Sequence, residues 1–318
     1  MRVLCFVLAG ALLAQEPMSI KVDVGLVNVA FIVRDPSGAP TGNGAPTGNG
    51  GPAGNLTKDD IEVYEDGVRQ NVQFFDRSAD LPLRLGLIMD VSGSQDKFNK
   101  RHTQDIGKFV VSAIEPRDRA LLVCFGNHIR LVSDFTGAPK ELVAAMNEFQ
   151  KSGKKISEMD PDDTREGGTA LFDSLFVVAK EKFATAARER RAIMLFSDGE
   201  DNSSAHDLLD AIEAAQTADA AIYTVRYTEA GKKGLTARNR YGMREMDRLA
   251  QETGGASFDA SKQDVAKALR SVAEDLRSMY DVGYVSSNAE RDGRFRKVEI
   301  RLKRPGLVVR AKPGYYAR

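Results

Sequence analysis

Residues 83–94 read LRLGLIMDVSGS, and this stretch decides the fold class. Leu83, Leu85, Leu87, Ile88 and Met89 form a nearly continuous apolar run, the pattern of a strand buried on both faces of a sheet. The run stops at Asp90, and Ser92 and Ser94 follow at once. Open parallel sheets place their binding sites beyond the C-terminal ends of their strands. One carboxylate and two hydroxyls are therefore expected on such a rim.

Downstream of this strand, apolar runs alternate with helical periodicities. Phe98 to Ile114 is read as a helix because Ile106, Phe109, Val110 and Ala113 share one side. ALLVCFG and the shorter IRLVSDF are read as strands, and Lys140 to Phe149 as a helix. Ala170 to Phe183 is read as a helix, then RAIMLFSD and AAIYTVRY as strands separated by a helix around His206 to Thr217. A helix from Met243 to Thr253 stops at Gly254 and Gly255, ASFDA is a short strand, and a last helix follows Ser261. Strand–helix alternation predicts an α/β fold: a doubly wound, mostly parallel sheet covered by helices on both faces, spanning residues 80–279.

The flanks read differently. Ile20 to Asp35 alternates apolar and polar residues with a phase change near Leu26 and Val27, as in a long strand with a bulge or two strands. IEVYEDG and VRQNVQFF follow as strands. Ahead of IEVYEDG, residues 37–55 carry APTGNG written twice, and Gly, Pro and Asn at that density bury no core. This stretch is read as a loop insertion, with a recognition element as the alternative. After Tyr280 come YDVGYVS, FRKVEIRLK and GLVVRAK, with RDGR as a hairpin signal between the first two. Each flank alone is small for a stable core. Residues 18–79 and 280–318 are therefore expected to join into one small β-sandwich, and two separate β-units are the alternative.

Composition narrows the function. Lys plus Arg and Asp plus Glu are each 45, so net charge is zero and there is no general attraction to nucleic acid or anionic lipid. Arg2, the apolar run Val3 to Leu13 and the small Ala14 read as a signal peptide over residues 1–14; a buried N-terminal element is the alternative. No later run is apolar enough to span a membrane. The expected location is extracytoplasmic, periplasmic or secreted. Cleavage would leave Cys124 alone inside a core strand, a buried inert thiol without a disulfide.

The chemistry sits on three strand-end loops. Asp90, Ser92 and Ser94 come from the first; Gly167-Gly168-Thr169 opens a helix; and RAIMLFSD ends at Asp198. Two carboxylates and three hydroxyls make an oxygen-only set, suited to Mg²⁺ or Mn²⁺ over zinc. The plainer reading is that Ser92 and Thr169 cap helices and the aspartates bond their own loops. His102, His128 and His206 show no metal-ligand spacing and are read as surface or packing residues. The acidic stretch with Glu158, Asp160, Asp162 and Asp163 is read as a solvated loop, with a second cation site or a gate as alternatives. Lys232, Lys233, Arg238 and Arg240 fall on the same rim, as a solvated loop or as steering charge for an acidic partner.

D-x-S-x-S at a strand end, a later threonine and a later aspartate after a strand resemble the metal-ion-dependent adhesion site of von Willebrand factor A domains. Here they are Asp90, Ser92, Ser94, Thr169 and Asp198. LTKDDIEVYEDGVRQNVQFF, GGTALFDSL, LAQETGGASF and GRFRKVEIRLKRPGLVVRAKPGYYAR resemble a bacterial von Willebrand factor A-related family first described from acidobacteria. That likeness covers nearly all of the chain beyond the leader. The APTGNG insertion and the acidic loop 157–166 depart from it. The resemblance implies a Rossmann-like fold in which Ser92, Ser94 and Thr169 bind the metal through their hydroxyls. It implies that Asp90 and Asp198 act through waters and hydrogen bonds. It further implies a binding, adhesion or scaffolding protein that captures a protein or peptide through an Asp or Glu carboxylate. No catalytic residue is expected: the chain has no G-x-S-x-G, H-E-x-x-H or P-loop and no histidine placed as a general base. A metal-dependent hydrolase and a structural envelope protein with an idle metal site are the alternatives.

Overall fold

The computed structural model describes residues 25–34, 56–152, 156, 158–159, 167–184, 188–231 and 234–318. Residues 1–14, read as a signal peptide, the APTGNG insertion, Lys232, Lys233 and most of the acidic loop lie outside the described residues.

The chain opens with β1 (Leu26–Arg34), β2 (Ile61–Glu65), β3 (Val68–Gln70) and β4 (Val72–Arg77). The alternating region then gives β5 (Leu83–Asp90), α1 (Asn99–Ala113), β6 (Arg119–Phe125), β7 (Ile129–Thr136), α2 (Pro139–Ser152) and α3 (Leu171–Val177). It continues with β8 (Arg190–Ser197), α4 (Leu208–Thr217), β9 (Ala220–Arg226), α5 (Ala237–Thr253), β10 (Ser257–Asp259) and α6 (Val265–Arg277). Strands return as β11 (Tyr280–Val285), β12 (Phe295–Leu302), β13 (Val308–Ala311) and β14 (Gly314–Tyr316).

The central sheet has the order β10-β9-β8-β5-β6-β7. All its pairings are parallel except β6 with β7, an antiparallel edge. Side-chain alternation along β5 sends Leu85, Leu87 and Met89 to one core with Ile106, Phe109 and Val110 of α1, Leu142 and Met146 of α2, and Val272 of α6. Ile88 goes to the opposite core with Leu171 and Leu175 of α3, Ile212 of α4, and Met246 and Leu249 of α5. That two-sided burial explains why the strand reads as a continuous apolar run. The sheet reverses direction of growth between β5 and β8: β6 and β7 lie to one side, β9 and β10 to the other. Asp90 ends β5 and Asp198 follows β8, so both carboxylates flank the crevice that this topology opens.

The flanking strands build two four-stranded sheets, ordered β13-β1-β11-β4 and β14-β12-β2-β3. Both mix strands from before and after the α/β unit. Phe31 of β1 faces Tyr280 of β11 and Ala311 of β13, and Val63 of β2 faces Ile300 of β12. Val29, Phe31 and Val33 pack with Ile61, Val63, Val282, Tyr284 and Val298 in a third core between the sheets. Three details differ from the sequence reading. VRQNVQFF is two strands in different sheets, parted at Asn71. RDGR makes no hairpin, because β11 and β12 belong to different sheets and the stretch carries the chain across. α5 begins at Ala237, six residues before the expected Met243, because Thr236 and Asn239 form a capping box ahead of a polar first turn that periodicity cannot see.

The sandwich is tied to the α/β unit by buried charge. Asp275 of α6 is fully buried and accepts hydrogen bonds from Arg34 of β1 and Arg310 of β13. Lys312 reaches Asp219 at 3.1 Å. Cys124 is buried, and burial pushes its thiol well above the usual range, so it stays protonated. No described helix is long and apolar enough to cross a membrane.

Candidate metal centre

Asp90 is the buried anchor of the rim. It is wholly inaccessible, and its Oδ1 accepts from the Ser92 amide at 2.9 Å while its Oδ2 accepts from Ser197 Oγ at 2.5 Å. Parallel pairing of β5 with β8 sets Met89 beside Phe196, which brings Ser197 next to Asp90. The turn after β5 bends Ser92 and Ser94 together, with their hydroxyls 3.2 Å apart. Ser94 Oγ donates to Asp198 Oδ2 at 2.7 Å, and Gln95 Nε2 donates to the same oxygen at 2.7 Å. Asp198 Oδ1 accepts from the Glu200 amide at 3.1 Å. Asp90, Ser92, Ser94 and Asp198 thus form one continuous oxygen cluster with Ser197 and Gln95.

Thr169 arrives through the backbone. The Ala170 amide donates to the Gly126 carbonyl at 2.8 Å, and a Cβ on Gly126 would sit 3.7 Å from the Ser92 backbone. The loops bearing Thr169 and Ser92 therefore both pack against Gly126, with Thr169 nearly buried. Ser92 precedes a short 3₁₀ turn without a side-chain cap bond, and the residue capping α3 is Ala170, so neither Ser92 nor Thr169 is a side-chain helix cap. The capping reading of these two residues fails. The aspartates do bond their own loops, but the cluster they share with the serines is more than loop closure.

Burial dominates the electrostatics of the cluster. Burial, then the nearby Asp198 charge, pushes the Asp90 carboxyl up to about 7, against the pull of its hydrogen bonds to Ser197 and Ser92. Among the described residues neither Asp90 nor Asp198 forms an ion pair. The nearby cation, Arg238, is instead 2.6 Å from Glu200, whose carboxyl is raised by burial and by Asp198. Among the described residues no group of three or more His, Cys, Asp or Glu side chains gathers as a metal site. The cluster offers hydroxyl and carboxylate oxygens, donors of the kind that hard divalent cations accept.

Residues 85–275 match the von Willebrand factor type A domain. The chain belongs to that family. All five site residues fall inside the matched span of the von Willebrand factor A domain. No curated protein matches the chain. Among solved structures, it is similar to an aerotolerance-related membrane protein from Bacteroides fragilis carrying multiple mutations to serines. That likeness has 15% identity and a TM-score of 0.46, and covers 61% of this chain and 98% of that one. It is similar to the conserved hypothetical protein BatB from Bacteroides thetaiotaomicron, at 16% identity and a TM-score of 0.43, over 61% and 97% of the two chains. It is also similar to proximal thread matrix protein 1 from the mussel byssus, solved with a zinc-occupied MIDAS motif. There the identity is 14% and the TM-score 0.47, over 65% of this chain and 48% of that one.

Four residues of this domain escaped the sequence reading. Ser197 left a signal, as the one polar residue closing the apolar run AIMLFS. Gln95 left none: a buried glutamine after Ser94 looks like any helix-start residue. Glu200 and Asn202 lie in the polar run DGEDNSS, which was followed no further than Asp198 and Gly199. The other polar residues take packing or pairing roles. His102 is buried against Tyr227, ring centroids 4.3 Å apart, and burial pushes it down to about 4, so it is neutral. His206 stacks on Phe176 and bonds Asp173 at 2.6 Å, and His128 lies 3.1 Å from Glu158. Glu158 is also held by Arg130, and Asp160, Asp162 and Asp163 lie outside the described residues.

Proposed function

We propose that this chain is an exported adhesion or scaffolding protein that captures a protein or peptide partner through a divalent cation on its rim, Mg²⁺ or Mn²⁺. The observation that carries this is the pair of near-buried carboxylates, Asp90 and Asp198, joined through Ser94 and Ser92 and lacking a cationic partner among the described residues. Ser92, Ser94 and Thr169 would offer hydroxyls to the ion, and Asp90 and Asp198 would orient them and offset its charge. When bound, the cation supplies an electrophilic centre that an Asp or Glu of the partner can complete. The chain's own residues do the rest. Ser197 and the Ser92 amide fix Asp90, Gln95 fixes Asp198, and Arg238 beside Glu200 offers positive charge at the edge of the site to a partner's acidic side chain.

We assign the protein no catalytic role, since none of the three histidines reaches a serine hydroxyl in the cluster in the manner of a general base. Residues 1–14 act as an export signal, and residues 18–79 and 280–318 form one sandwich domain into which residues 80–279 are inserted. The test is retention of native-envelope or culture-medium proteins on immobilised protein, with Mg²⁺ and with chelator. Retention that needs metal and vanishes in Asp90→Ala supports the proposal. Retention indifferent to chelator and to Asp90→Ala favours a structural protein with an idle site.

A further inference from the structure

We propose that Asn202 positions Thr169 for the cation, an assignment that rests on reading Asp90, Ser92, Ser94, Thr169 and Asp198 as a cation site. Asn202 is itself exposed on the rim, yet its side chain turns inward. Its Oδ1 accepts from the Thr169 amide at 2.7 Å, and the amides of Asn202 and Ser203 donate to the Thr169 carbonyl at 3.1 and 3.2 Å. Both peptide groups of Thr169 are therefore held by one short segment, which fixes the backbone from which its side chain projects.

That segment also carries Asp198. Asp201 Oδ1 accepts from the Leu171 and Phe172 amides at 2.8 and 3.3 Å, at the start of α3. Asp173 answers from the other side, accepting from the Ala205 and His206 amides at 2.8 Å each. The Thr169 loop and the Asp198 loop are stitched into one body, whereas the Ser92–Ser94 turn meets that body through side chains. Gly168 makes the clasp possible. It sits at φ +100, and a Cβ there would come within 2.6 Å of Asn202 Oδ1 and 2.7 Å of Ser203 Cβ. A threonine that only closed a loop would not need its peptide gripped at both ends by the segment that bears another site residue. Groups that orient a metal's ligands without touching it commonly set 10–100-fold of affinity.

Asn202 is a positioning residue, so its test compares variants that share its γ-branched shape. Asn202→Leu keeps the branching, with somewhat more bulk, and loses the acceptor; Asn202→Asp keeps both the size and the acceptor. Mn²⁺ affinity is measured by calorimetry at high salt, which screens the charge that Asp adds, and Thr169 amide exchange is measured in metal-free protein. The expected result is that Asn202→Leu loses Thr169 amide protection and weakens Mn²⁺ about tenfold or more. The melting temperature of metal-free protein should also fall, because the bond is part-buried and its loss leaves the buried Thr169 amide without an acceptor, so affinity is compared well below the melting transition. Asn202→Asp should restore protection and affinity together. Wild-type Mn²⁺ affinity in Asn202→Leu would overturn the proposal and leave Asn202 as loop closure. Wild-type protein that takes up no Mn²⁺ would overturn the cation reading itself, and this assignment with it. Should Asn202→Leu fail to fold, Asn202→Ser, too short to reach the amide, carries the same comparison.

Discussion

Asp90→Asn keeps the shape of the buried side chain and removes its charge. The wild-type carboxyl holds its proton to about pH 7 when folded, against an ordinary 3.8. Folding is therefore penalised as pH rises from about 4 to about 7, because the unfolded chain ionises Asp90 freely and the folded chain does not. Above pH 7 the penalty is complete, and the span from 3.8 to about 7 corresponds to roughly 4 kcal/mol. Asparagine still accepts from the Ser92 amide, but its NH₂ faces Ser197 Oγ, which must turn from donor to acceptor at a cost of about 1 kcal/mol. In chelator at pH 8 the variant should therefore be more stable than wild type by roughly 2–3 kcal/mol, and at pH 5 the gain should shrink to near zero. Metal should close that gap. A cation bound only by the folded state stabilises wild type by about 2.7 kcal/mol at a hundredfold excess over Kd, and the variant loses that stabilisation. Denaturant unfolding at both pH values, with chelator and with Mg²⁺, checks all four conditions. An Asn variant less stable than wild type at pH 8 in chelator would refute the reasoning that Asp90 is an uncompensated buried charge.

Two further substitutions test the surroundings. Gly242→Ala in α5 would place a Cβ 2.5 Å from the Asp198 carbonyl oxygen. Helix propensity favours alanine by about 1 kcal/mol, but overlap with backbone costs about 1–3 kcal/mol and pushes the Asp198 loop off α5, so lowered thermal stability together with weakened Mn²⁺ binding is expected; melting and calorimetry read the two. Asp275→Asn leaves Arg34 and Arg310 without their shared buried carboxylate. It should cost about 3–5 kcal/mol in denaturant unfolding, and a loss below about 1 kcal/mol would mean that the sandwich and α6 do not depend on this clasp.

The fold was legible where burial leaves a one-dimensional trace. The apolar run ending at Asp90 and the side shared by Ile106, Phe109 and Val110 are consequences of a sheet covered on both faces, and both lie where the reading put them. Asp90, Ser92, Ser94 and Asp198 were legible as strand-end polar residues, and the structure joins them in one hydrogen-bonded cluster. What stayed hidden depends on pairings across the chain. RDGR carries a sound local turn signal, but whether two strands share a sheet is set by distant partners, here β1 and β4 for β11 and β2 and β14 for β12. The polar start of α5 is fixed by the reciprocal bonds of Thr236 and Asn239 rather than by apolar spacing. Gln95 and Asn202 act on residues that only the fold brings near, so no spacing could have announced them.

The account turns on whether the cluster takes a cation. Titrating Mg²⁺ and Mn²⁺ into metal-free wild-type protein by calorimetry, alone and with its captured partner present, measures this directly. Binding of one ion per chain is expected, absent in Asp90→Ala and weakened in Thr169→Ala, which removes a hydroxyl and leaves the charge unchanged. No uptake of either ion at millimolar concentration, with or without partner, would contradict it.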